Sequence, residues 1–195
     1  MKNFTFNLLL FIIIIVVFTM SSCKKGEDDP FISFRSRKAR ITGEWNLKSG
    51  IIVIKDHGLE ETATYDGTYQ YTPSYTHIYK EKWILNRNGT FQLNIDKLYE
   101  NTTLEGSWSF GNKDKEFHLK NKESVIFRVT YSNVISATTG GSHSETYTGT
   151  SCPVYSYIIL QLKNKIMTIK IEESTTFNSW YTSTETKSGT MTFNQ

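Results

Sequence analysis

The sequence predicts an all-β fold: a single antiparallel up-and-down barrel of about 8–10 strands, with a short helical segment at its N-terminal edge. Three observations lead there. From residue 41 onward apolar and polar residues alternate repeatedly, turn signals separate the alternating stretches at short intervals, and no long window carries a 3.6-residue period.

The strands can be taken in order. In "TFQLNID" the apolar Phe91, Leu93 and Ile95 alternate with Thr90, Gln92, Asn94 and Asp96. In "LEGSWSF" Leu104, Trp108 and Phe110 share a parity with Gly106. The pattern returns with Val125, Phe127, Val129 and Tyr131, and again with Met167, Ile169 and Ile171. Successive side chains of a strand point to opposite faces, so each stretch reads as a half-buried strand. "NRNGT" at 86–90, "FGNKDK" at 110–115 and "LKNKI" at 162–166 fall between apolar runs, where hairpin turns belong. Pro73 and Pro153 lie in polar stretches where they break no ladder. A meander left open would expose two edges, which favours closure into a barrel over an open sheet, with a sandwich as the other stable solution. Residues 132–153 are too polar to build a core and too long for a tight hairpin. They read either as a flap or contact loop over 138–150, or as a strand in "SETYTGT" with Glu145, Tyr147 and Gly149 on one face.

The N-terminus has a different character. Lys2 precedes an unbroken apolar run over residues 8–18. That run is too short to span a bilayer, which takes about 20 residues, and has no polar face that would let it lie in a core. It has the form of an export signal. It ends in Met20, Ser21, Ser22 and Cys23, which resembles the lipobox of bacterial lipoproteins. The resemblance implies cleavage before Cys23 and attachment of diacylglycerol to its thiol, which with further acylation gives stable anchoring. The following Lys24, Lys25, Gly26, Glu27, Asp28 and Asp29 resemble the surface-display tether of lipoproteins from Bacteroidetes-type bacteria, and are also what a solvated, extended linker requires. The implied organisation is a signal peptide over 1–22 that is removed, a flexible lipidated tether over 23–31, and a barrel domain over 32–195. The implied location is the bacterial outer membrane, facing the cell exterior rather than the periplasm.

"ITGEWNL" at 41–47 carries Gly43 and Trp45, and this Gly-x-Trp resembles the opening of the first strand in lipocalins. It starts the β region and follows a helical segment over about residues 33–40. With the later "KWILNRNGTFQL", "LEGSWSF", "FHLK" and "YIILQLKNKIMTIKIEE", residues 30–195 look like the lipocalin-like lipoproteins of Bacteroidetes. The resemblance implies that Gly43 and Trp45 form a structural plug across the closed end of the barrel, beneath the helix.

Charge and chemistry narrow the function. Lys and Arg number 22 against 19 Asp and Glu, a net charge of +3 that loses Lys2 with the signal. Such a near-neutral domain has no footprint for nucleic acid. Arg35, Arg37, Lys38 and Arg40 read as the solvated side of a short segment, or as a contact for anionic head groups. With Cys23 acylated, Cys152 has no intramolecular partner and no disulfide is expected. His57, His77, His118 and His143 have no metal-site spacing; His118 reads as outward-facing on a strand and His143 as part of a polar loop. No catalytic signature is present, so the expectation is a protein that is not an enzyme and uses no cofactor or metal.

Two functions are expected in competition. The lipocalin resemblance implies a barrel holding a small apolar or amphipathic ligand. The candidate contacts are Tyr65, Tyr69 and Tyr71, with Gly67 at the same parity, together with Phe91 and Trp108; Tyr75 and Tyr79 extend the tyrosine series. The alternative is a packed barrel whose loops contact a partner protein or glycan. In either case the lipid bilayer is a partner through acylated Cys23.

Overall fold

Ser36 caps the first element of the computed structural model, which describes residues 36–56, 58–112, 123–136, 140–163, 165–177 and 184–195. Its hydroxyl accepts from the Ala39 N–H at 3.1 Å and starts the one-turn helix α1 (Arg37–Ile41). Cys23 and the rest of residues 1–35, as well as His57 and His118, lie outside the described residues. Two arginines of the basic segment are not solvated. Arg37 is buried and Arg40 donates to the carbonyl of Leu162, so this segment lies down on the barrel as a lid.

Eleven strands follow: β1 (Gly43–Asp56), β2 (Leu59–Tyr65), β3 (Tyr69–Tyr71), β4 (Thr76–Leu85), β5 (Thr90–Lys97), β6 (Glu100–Phe110), β7 (Ser124–Ser136), β8 (Gly141–Thr146), β9 (Val154–Lys163), β10 (Ile166–Phe177) and β11 (Thr184–Asn194). All pairings are antiparallel, and ten of the strands close into a barrel with β8 as the extra one. The all-β barrel expected from alternation and turn spacing is therefore the observed fold.

The barrel has a narrow end and a wide end because two strands change partners along their length. Near Gly43 the ring runs β1-β4-β5-β6-β7-β9-β10-β11, eight strands. Further along, the β2–β3 hairpin inserts between β1 and β4, and β8 replaces β9 as the neighbour of β7. Each fork carries a bulge. Lys48 is the extra residue where β1 passes from β4 to β2, and Thr130 where β7 passes from β9 to β8. An extra residue bends a strand and increases its twist, which lets it leave one neighbour for another.

The Thr130 bulge also resets side-chain direction. Val125, Phe127 and Val129 are buried as their alternation predicts, but Tyr131 pairs with Glu105 and faces outward. Residues 132–136 continue β7 and pair with β8, so of the two alternatives, a loop carrying His143 or a strand in "SETYTGT", the segment is nearer the second: a hairpin whose second strand, Gly141–Thr146, carries His143. β8 is a strand outside the barrel's closure, and all its side chains are exposed.

Candidate functional site

Trp45 and Trp83 are paired across β1 and β4, both buried. The Trp45 indole N–H donates to the Ile41 carbonyl at 2.7 Å, which fixes α1 over the narrow end. Ile41, Leu85, Leu162, Met167 and Phe193 fill the same end and have almost no exposed surface. Trp108 belongs here too. Its indole N–H reaches the Asn86 carbonyl at 2.9 Å in the β4–β5 turn, and its ring packs edge-on against Phe110. It seals the barrel floor, far from the mouth.

Above the floor the rings of Trp83, Phe91, Phe127, Phe193 and Tyr157 form a contiguous stack, with centroid separations from 4.6 Å for Trp83–Phe193 to 5.8 Å for Phe127–Tyr157. A cavity of about 10 Å³ remains beside this stack, bounded by residues including Leu93, Leu104 and Tyr155. That is room for one water, whereas small-molecule pockets run to a few hundred Å³. Around this stack the aromatic residues that a hollow barrel would use to hold a ligand pack against one another.

A carboxylate sits against this aromatic stack. Glu81 is buried on the inward face of β4 between Tyr79 and Trp83, and both neighbours donate to it: Tyr79 Oη at 2.8 Å and Trp83 Nε1 at 2.6 Å. Burial raises its pKa; the two hydrogen bonds, Lys187 and Lys97 oppose that rise without cancelling it. Burial likewise pushes the Tyr79 and Tyr157 hydroxyls well above their ordinary value, with Glu81 adding to both. Tyr65 packs edge-on against Tyr79 at 4.8 Å, and the buried Gln70 lies on the same inward face. This polar belt divides the apolar floor from the mouth.

Of the tyrosines expected to share a face, the structure brings only some together. Tyr65 and Tyr79 point inward, but Tyr69 and Tyr71 lie on the outer surface. The reason is the turn at residues 66–68, which divides one apparent strand into two. Tyr65 then pairs with Gln70, and its odd-numbered successors face the other way. Asp66 holds that turn, accepting from the N–H groups of Thr68 and Tyr69 at 2.8 Å each and from the Tyr71 hydroxyl at 2.7 Å. Those bonds, the Tyr69 N–H first, keep its carboxyl below the usual carboxylate range. Phe91 is buried and lines the cavity. Sequence reasoning missed Glu81 and Tyr157. For Glu81 the signal was present: in "YKEKWIL" it holds the parity of Tyr79, Trp83 and Leu85.

At the wide end the exposed apolar residues gather in turns: Leu59 after the β1–β2 turn, Tyr75 before β4, Leu98 and Tyr99 between β5 and β6, and Ile135 near the tip of β7. Tyr75 stacks on His77 at 5.0 Å. Among the described residues no group of His, Cys, Asp or Glu is arranged to hold a metal ion. Cys152 is a buried free thiol.

Fold and interior together define a small antiparallel β-barrel with a packed aromatic stack among the described residues. No protein-family model, no curated protein and no solved structure matches this chain.

Proposed function

We propose that this chain is a lipid-anchored lipoprotein of the bacterial outer membrane, held through Cys23, whose barrel is a rigid platform for contacts with a partner protein or glycan at its wide end. The observation that carries this reading is the filled interior, with space for about one water where a ligand would lie. The placement of the chain supports it as well. Residue 36 enters at the narrow end through α1, so a tether running from Cys23 presents the opposite end, with Leu59, Tyr75, Leu98, Tyr99 and Ile135, away from the bilayer. Exposed apolar and aromatic side chains at the free end of an anchored domain offer contact surface to a partner.

A second reading keeps the barrel as a carrier of a small apolar ligand. It is favoured by the partly buried Leu93, Leu104, Tyr155 and Tyr157 around the cavity, whose rotation would enlarge it. Native mass spectrometry of the protein purified from its host separates the two. The platform reading expects the bare chain mass plus its acyl groups, and a stoichiometric retained small molecule overturns it in favour of the carrier. For the anchor, Cys23→Ser is expected to release the protein from membrane fractions or leave the signal uncleaved. An unchanged, lipid-labelled, detergent-requiring product from that variant would refute the lipidation.

A further inference from the structure

The β7–β8 hairpin ends in a strand that lies last in the strand order of the described residues. Residues 141–146 form a continuous ladder with residues 136–131 of β7, without a register shift, and among the described residues β8 pairs with β7 alone. All its side chains are exposed. Edge strands are commonly blunted by lysine, proline or a bulge, and "GSHSET" has none of these. Its ionisable residues are His143 and Glu145, two apart and therefore on one face, with His143 Nε2 3.0 Å from Glu145 Oε1. The Tyr147 hydroxyl donates to the other carboxylate oxygen, Oε2, and fixes the Glu145 carboxylate in place.

We propose that β8 is a self-association edge, at which two copies of this chain pair β8 to β8 as antiparallel strands about a two-fold axis at Ser144. The register follows from symmetry and charge. A two-fold axis perpendicular to a sheet leaves each face on its own side, so some residue must lie opposite its own copy. Centring on His143 or Glu145 sets like groups opposite one another, which is unfavourable. Centring on Ser142 or Thr146 leaves much of the strand unpaired. Centring on Ser144 sets His143 opposite Glu145 of the second copy, twice, and Ser142 opposite Thr146 of the second copy, twice. The two imidazoles and two carboxylates then alternate on one face, and the outward backbone groups of Ser142, Ser144 and Thr146 gain partners.

The test uses the full chain. Ser144→Cys puts a thiol opposite its own copy, while Ser142→Cys or Thr146→Cys does not. Under mild oxidation the first is expected to form covalent dimer about tenfold faster than either of the others, over the background set by wild-type Cys152, and a mixture of the latter two is expected to cross-link to each other. Adding Glu145→Lys to Ser144→Cys should slow cross-linking about tenfold, and adding His143→Glu as well should restore it, because the opposite pair is rebuilt with its signs exchanged. Sedimentation of the wild type in detergent should show a mass that rises with concentration. Equal cross-linking at the three positions, cross-linking no faster than background, or indifference to Glu145→Lys each overturns the proposal. Because every substituted side chain is exposed, circular dichroism should report an unchanged fold, so a negative result counts against the edge and not the barrel.

Discussion

The indole N–H of Trp45 and the carbonyl of Ile41 are joined at 2.7 Å, so the first strand and the helix that covers its end are held as one unit by a bond inside the core. Trp45 is 1% exposed. Trp45→Ala should therefore cost about 3–5 kcal/mol, as for other buried large aromatics. Trp45→Phe keeps most of the ring volume and strips only the donor, which leaves a buried carbonyl unpaired at about 1–3 kcal/mol. Urea denaturation of both variants checks the order, and a midpoint equal to wild type for the alanine variant would contradict the packing described.

Glu81 links the interior to pH. Its pKa in the folded protein is raised by burial, so above the ordinary glutamate value of 4.5 the native state binds its proton more tightly than the unfolded chain does. The contribution of this group to stability is then full below that value and is lost as pH rises through the higher native one. Glu81→Gln removes the charge while its amide can still accept from Trp83 Nε1 and donate to Tyr79 Oη. The variant should be more stable than wild type at pH 7, with a difference that shrinks toward pH 4. Denaturation midpoints at the two pH values decide it, and a variant weakened more at pH 7 than at pH 4 would show that the charge is stabilising where it lies.

Gly189 tests the closeness of β1 and β11. Its φ is +150°, and a Cβ there would lie 2.1 Å from the Ile51 carbonyl oxygen, which is backbone and cannot swing aside. Gly140 also has positive φ, +64°, but a Cβ there would meet open space. Gly140→Ala should cost about 1 kcal/mol from backbone conformation alone, and Gly189→Ala at least about 3 kcal/mol because the ladder must separate. Equal losses at the two sites in chemical denaturation would mean that the β1–β11 contact is looser than described.

The barrel was legible in the sequence wherever one strand kept one pair of neighbours. Met167, Ile169 and Ile171 alternate in the sequence and all are buried, because β10 itself gains no residue across those positions; the extra residue of the β9–β10 ladder there is Leu160, on β9. Alternation misled where the backbone gained a residue or turned. Thr130 inverts Tyr131, and the turn held by Asp66 inverts Tyr69 and Tyr71, since a single extra position moves every later side chain to the other face. Bulges carry no compositional signal comparable to an Asn-Gly turn. The state of the interior was not legible either, for the same aromatic residues can line a hollow barrel or fill it. Whether Trp83, Phe91, Phe127 and Phe193 meet is decided by how eight strands close at the narrow end, which only the pairing reveals.

The β7–β8 hairpin should be separable from the fold. Ser132 and Glu145 are cross-strand partners, so an Asn-Gly turn can join them and replace residues 133–144 without moving the flanking backbone. The β8 residues removed are all exposed, and closure of the ring depends on the β7–β9 pairing at residues 124–128, which is untouched. Tyr147 and Cys152, which do have buried surface, remain. What is lost is the pairing of β6 along residues 100–103 and the partly buried Val134, together worth about 1–2 kcal/mol, offset slightly by the shorter loop. Cooperative urea unfolding with a nearly unchanged slope is the expected result, accompanied by loss of any concentration-dependent association. Disappearance of the cooperative transition would mean instead that β8 completes the barrel wall, and that the ring of ten strands is not closed without it.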